Sequence, residues 1–65
     1  MVPAGLQSKA LAKGLVFASS PNGRTFRAFV WDGINNKPGY YSEGELFEGT
    51  LRPAHDWIDG YTPAP

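Results

Sequence analysis

The sequence predicts a small α+β domain, mostly β, in which a three- to four-stranded antiparallel sheet carries one short helix. Three features lead there: two β-forming runs on either side of Ser20-Pro21-Asn22-Gly23, a Tyr40-Tyr41 pair behind a Pro-Gly step, and a helix start at Ser42-Glu43-Gly44-Glu45. At 65 residues with no cysteine, the chain reads as a single domain, 1–65, without disulfides or a Cys-based zinc site. Such a chain buries only about 60% of the surface its unfolded form exposes, so its stability is thin. Hydrophobic residues at 42%, with 14% aromatic, set it apart from disordered chains.

Taken in order, residues 1–5 contain Pro3 and Gly5 and read as a loose arm. Leu6 to Lys13 suit one or two helical turns closed by Gly14, although a strand fits there nearly as well. Leu15-Val16-Phe17-Ala18-Ser19 and Arg24 to Trp31 are rich in β-formers and flank a turn, which makes a hairpin. Pro21 presets φ for a type I turn, and Gly23 suits the left-handed position that follows it. A three-residue loop sets Ser20 against Arg24 and Phe17 against Arg27. A two-residue Asn22-Gly23 loop moves the pairing by one residue.

In the three-residue register Val16, Ala18, Phe26, Ala28 and Val30 share one face, and Leu15, Phe17, Arg27, Phe29 and Trp31 share the other. Both faces are apolar, whereas a surface hairpin shows one polar face. Asp32 to Gly39 is loop chemistry, and Tyr40-Tyr41 makes a short third strand. Ser42 and Glu45 then form a capping box for a helix over 43–48, with Tyr41 and Leu46 at the staple positions. Thr50-Leu51-Arg52 pairs as a further strand and Pro53 interrupts. His55 to Asp59 forms a strand or one helical turn that buries Trp57 and Ile58, and residues 61–65 form a loose, extended tail.

The net charge of zero hides an asymmetry. Residues 1–37 carry Lys9, Lys13, Arg24, Arg27 and Lys37 against Asp32; residues 38–65 carry Glu43, Glu45, Glu48, Asp56 and Asp59 against Arg52. Either the halves attract each other within one fold, or the molecule shows one basic and one acidic face to a partner. No apolar run approaches the ~20 residues of a membrane span, and the start has no secretory signal pattern. The expected location is the cytoplasm.

Catalytic chemistry finds little support. His55-Asp56 are adjacent residues, which on a strand point opposite ways. Glu45 and Glu48 suit a solvated helix end, and Asp56 to Gly60 falls short of a calcium loop. A chain this short hardly encloses a pocket of ~300 Å³. The expectation is a non-enzyme with no cofactor and no metal.

Binding is the remaining class. Arg24, Arg27 and Lys13 lie among aromatics in a pattern suited to base stacking with phosphate neutralisation. The order of three short strands and a helix resembles a DNA-binding domain of plant transcription factors, which implies nucleic acid as the second reading. Trp31, Tyr40, Tyr41 and Trp57 suggest sugar platforms, and Asn22 to Ala28 is similar to a strand of small chitin-binding modules. Carbohydrate is therefore the third reading.

Val30-Trp31-Asp32-Gly33, Gly39-Tyr40-Tyr41, Gly44-Glu45-Leu46-Phe47 and Asp56-Trp57, with Pro63 and Pro65, resemble a family of short phage and prophage proteins of unknown function. The resemblance implies a phage-related origin, with the host cytoplasm as location, and carries no catalytic residues. Phage proteins of this size often occupy a host protein's surface. The leading expectation is therefore a protein-binding domain, acting as an inhibitor of a host enzyme or defence complex in the surface-blocking manner of anti-CRISPR proteins. Its contact residues are Phe17, Arg27, Phe29 and Trp31, with Tyr40 and Tyr41 beside them, and the partner is another protein or a second copy in a homodimer.

Overall fold

A computed structural model of the chain describes residues 1–31 and 44–63. Two helices and three strands follow in the order α1 (Ala4–Ala12), β1 (Leu15–Ser19), β2 (Phe26–Val30), β3 (Phe47–Gly49) and α2 (Leu51–Gly60). The sheet is antiparallel with strand order β1-β2-β3. The α+β class holds. The single short helix does not: among the described residues there are two helices, of nine and ten residues, beside strands of five, five and three.

α1 begins at Ala4, so the N-terminal arm is shorter than expected, and Val2 packs on the core. Leu6 and Ala10, one turn apart, form its buried stripe. Lys13 caps its C-terminus and Gly14 follows at φ +76°, a left-handed conformation that glycine adopts without strain.

The hairpin forms where expected, but in the register of the second alternative. Gly23 N–H donates to Ser20 O (3.0 Å) and Gly23 has φ +73°, as a type I turn with a left-handed closing residue requires. Asn22 Oδ1 then accepts from the backbone N–H groups of Arg24 (2.7 Å) and Thr25 (3.1 Å). This holds Arg24 out of the ladder, which closes at Ser20 N–H to Thr25 O (2.9 Å). Phe17 therefore faces Ala28, Val16 faces Phe29 and Ala18 faces Arg27.

The one-residue difference re-sorts the faces. Leu15, Phe17, Phe26 and Ala28 now share a side, and both helices pack against it. The core joins Leu6 and Ala10 of α1 to Leu15, Phe17 and Ala28 of the sheet and Ala54 and Ile58 of α2. Ala10, Ala28 and Ala54 are fully buried, one on each layer element, and their small size lets both helices approach the sheet closely.

The helix expected over 43–48 is not present in its described part. Gly44 has φ +76°, which no helix interior accommodates, and Phe47–Gly49 pairs with β2 instead. The strand expected at Thr50-Leu51-Arg52 is the start of α2, with Thr50 at its N-cap. Pro53 is tolerated there because the first N–H groups of a helix have no intrahelical acceptor. Ala54, Trp57, Ile58 and Tyr61 make an i, i+3, i+4, i+7 stripe facing the core. Trp57 stacks on Phe47 (5.2 Å between centroids), meets Tyr61 at 5.1 Å and takes Phe17 edge-on at 6.2 Å. The Tyr40-Tyr41 strand and the Ser42-Glu43 capping-box residues lie outside the described residues.

A domain of this size has roughly 3–10 kcal/mol of stability in total. Phe17→Ala removes a ring that is 2% exposed and costs about 3–5 kcal/mol, so it abolishes cooperative unfolding in a thermal or urea melt. Overpacking by Ala54→Leu costs about 1–3 kcal/mol and lowers the urea midpoint.

Candidate functional site

The structure separates the residues expected to form one contact face. Phe17 is core, on the helix side of the sheet. Arg27, Phe29 and Trp31 lie on the opposite side by strand alternation, with Val16 and Ala18. Phe29 is buried and Trp31 is 39% exposed. Tyr40 and Tyr41 lie outside the described residues. Two members of the expected six-residue face are therefore corrected: Phe17, which the hairpin register turns inward, and Phe29, which is buried on the other side of the sheet.

The side away from the helices changes character along its length. At the turn end it is polar. Arg27 stands opposite Glu48 in the ladder, with its Nε 3.4 Å from Glu48 Oε2 and 3.3 Å from Glu45 Oε2. These are ion pairs only: among the described residues Nε meets no acceptor in hydrogen-bonding geometry. Ser20, itself buried, donates its hydroxyl to Glu48 Oε2 at 2.9 Å. Thr25 Oγ1 lies 2.6 Å from Ser20 Oγ and 3.0 Å from Glu48 Oε2, its single hydrogen serving one of them at a time. The Ser20 and Thr25 hydroxyls hold the Glu48 carboxyl below its ordinary value, helped by the Arg27 charge and opposed by desolvation.

The basic first half and acidic second half do attract each other within the fold. Lys9 Nζ lies 2.9 Å from Asp59 Oδ1 and 3.2 Å from His55 Nδ1. Lys13 Nζ donates to the backbone carbonyls of Ile58 (2.6 Å) and Tyr61 (2.8 Å) and approaches that of Asp59 (3.3 Å). It thereby gathers carbonyls at and just beyond the C-terminus of α2, where the helix dipole also favours a cation. Of the three cations expected to meet phosphate, Arg27 and Lys13 have these internal partners, and Arg24 is exposed. Of the expected sugar platforms, Trp57 has its ring engaged by Phe17, Phe47 and Tyr61. His55 meets Lys9 of the other helix, its Nδ1 3.2 Å from Lys9 Nζ.

At the other end of the sheet the surface is apolar. Val30, the last residue of β2, and Trp31, which follows it, alternate to opposite sides of the sheet and are 61% and 39% exposed. Leu46, 44% exposed, immediately precedes β3, its N–H donating to Ala28 O of β2 at 2.8 Å. Trp31 N–H donates to Gly14 O at 2.9 Å, which places the end of α1 and its exposed Leu11 at this end too. Leu11 and Leu46 were not among the expected contact residues. The signal for Leu46 was the Leu46-Phe47 step followed by Gly49, which suits a strand as well as a helix end.

No protein-family model matches the chain, and no curated protein or solved structure matches it either. No described helix is long and apolar enough to cross a membrane.

The lowered Glu48 value has a definite sign in stability. Its contribution is fully present above the unfolded carboxyl value of 4.5 and is lost as pH falls through the lower folded value. Melting temperatures measured from pH 7 down to pH 3 fall less steeply in Glu48→Gln than in the native chain.

Proposed function

We propose that this protein is a small, non-enzymatic protein-binding domain whose contact surface is the apolar end of the sheet, centred on Trp31 with Leu46 and Val30. The single observation that supports this most is the exposure of Trp31. A tryptophan left partly in water beside an exposed Leu and Val, in a chain whose other described tryptophan is fully engaged in ring packing, suits a hot-spot anchor. The partner is a protein offering an apolar recess for the indole. The Trp31–Gly14 hydrogen bond ties the backbone at Trp31 to the residue before β1, which lowers the ordering cost of presenting the ring.

Nucleic acid is the weaker reading, because Lys13 and Arg27 are held by groups of the second half and an acidic pair, Glu45 and Glu48, sits beside Arg27. Inhibition of a host enzyme or defence complex rests on the sequence resemblance alone, and the present proposal stops at protein binding.

The test is affinity capture with the native chain, Trp31→Ala, Leu46→Ala and Arg24→Ala, followed by titration of the captured protein. Trp31→Ala weakens binding about 30-fold or more, as loss of a hot spot of about 2 kcal/mol implies, while the urea midpoint stays near native. Arg24→Ala leaves binding within about threefold. Retained affinity in Trp31→Ala removes the proposal. Affinity for single- or double-stranded nucleic acid that falls steeply with salt favours the second reading.

A further inference from the structure

Among the described residues β1 is an edge strand of the sheet, and its outward backbone groups follow from the ladder. The bonds Ser20 N–H to Thr25 O and Trp31 N–H to Gly14 O show that Gly14, Val16, Ala18 and Ser20 turn their backbone groups toward β2. Leu15, Phe17 and Ser19 therefore turn theirs to the open edge. At the middle position the edge is already paired. Phe17 N–H donates to Gln7 Oε1 at 2.8 Å, and Gln7 Nε2 donates to Phe17 O at 3.0 Å.

These two bonds are the donor and acceptor that a neighbouring strand would supply. A carboxamide is a peptide group on a side chain, with its donor and its acceptor on separate atoms as a strand backbone presents them. Leu, Met or Ala at position 7 satisfies neither, and Glu accepts without donating. The need for such a device is set by β1 itself: Leu15-Val16-Phe17-Ala18-Ser19 is apolar and uncharged, free of Gly and Pro, the composition that invites edge pairing between copies. Natural edges are commonly guarded by Lys, Pro or a bulge, and β1 has none of these.

We infer that Gln7 is an edge guard: its carboxamide occupies the Phe17 position of β1 and keeps the strand from pairing antiparallel with β1 of a second copy. The inference is independent of the Trp31 surface, which lies at the end of β2. Antiparallel pairing centred on Phe17 sets Leu15 of one copy against Ser19 of the other, so Ser19, exposed and outward-facing, is the place to block it.

The test is sedimentation equilibrium of the full chain as a function of concentration, with circular dichroism as the fold control. The native chain sediments at its monomer mass of 7.1 kDa. Gln7→Leu and Gln7→Met associate toward twice that mass at concentrations at least tenfold below any native association, and amide exchange at Phe17 stays slow in the dimer. Adding Ser19→Lys returns both to monomers, because it places a charge against Leu15 of the other copy. A native chain that already dimerises through β1, folded variants that remain monomeric, or association that persists with Ser19→Lys each overturn the inference. So does loss of fold in both variants, since Gln7 is then a stabilising contact and not a guard.

Discussion

The pairing of Ser20 with Thr25 across the turn is the constraint on which the remaining structure depends. It places Phe17 opposite Ala28, and so decides that Leu15 and Phe17 form the floor on which both helices pack. A shift of one residue would send those side chains to the other side of the sheet and leave Ala10, Ala54 and Ile58 without their partners. The turn holds this register through chemistry of its own. Pro21 and Gly23 provide the backbone angles, and the Asn22 carboxamide takes the two N–H groups that would otherwise pull Arg24 into the ladder.

The core that results is narrow and economical in material. Three alanines at the centre bring the layers close, and the aromatic side chains gather around Trp57 at one margin. Phe47 reaches that cluster from the third strand, while Gly49 beyond it has no room for a side chain: a Cβ there would stand 2.7 Å from the Phe47 ring. The stacking of Phe47 on Trp57 thus ties β3 to α2, and the short loop at Thr50 is enough to join them. Around this core the charges work between halves of the chain. Lys13 closes the end of α2, Lys9 bridges the helices, and Arg27 balances Glu45 and Glu48 on the exposed side of the sheet. Isolated exposed pairs of this kind add little each, so their main effect is to choose how the two halves meet.

The functional reading follows from what this arrangement leaves outside. Ser20, Thr25, Arg27 and Glu48 fill the turn end of the sheet's second side, whereas its opposite end carries Trp31 and Leu46 in contact with water. Both sides of the hairpin are apolar, as expected, but Val16 and Phe29 on the side away from the helices are buried, and exposed apolar side chains stand where β2 ends, Val30 on one side and Trp31 on the other. The Phe17 member of the expected face was lost for a specific reason. Its side chain could be assigned inward or outward only once the loop length was known, and a type I turn opens the four-residue loop closed by Ser20 and Thr25 as readily as a three-residue one.

Local chemistry in the sequence was sufficient for the hairpin, for the turn residues that make it, for the helix stop at Gly14 and for the burial of Ile58 with Trp57 packed beside it. Each of these rests on groups a few residues apart, whose preferences hold in any surroundings. The two-helix layout was legible only in part. The stripe Ala54, Trp57, Ile58 and Tyr61 is present in the sequence, but Pro53 obscures it until its place in the first helical turn is known. The strand at Phe47–Gly49 was hidden behind a capping-box pattern, because Gly44 rules out the helix only through a positive φ that the fold imposes. Which side of the sheet became core, which lysine closed which helix and where a tryptophan stayed wet were decided by the tertiary structure, since each depends on groups that meet across ten to fifty residues of chain.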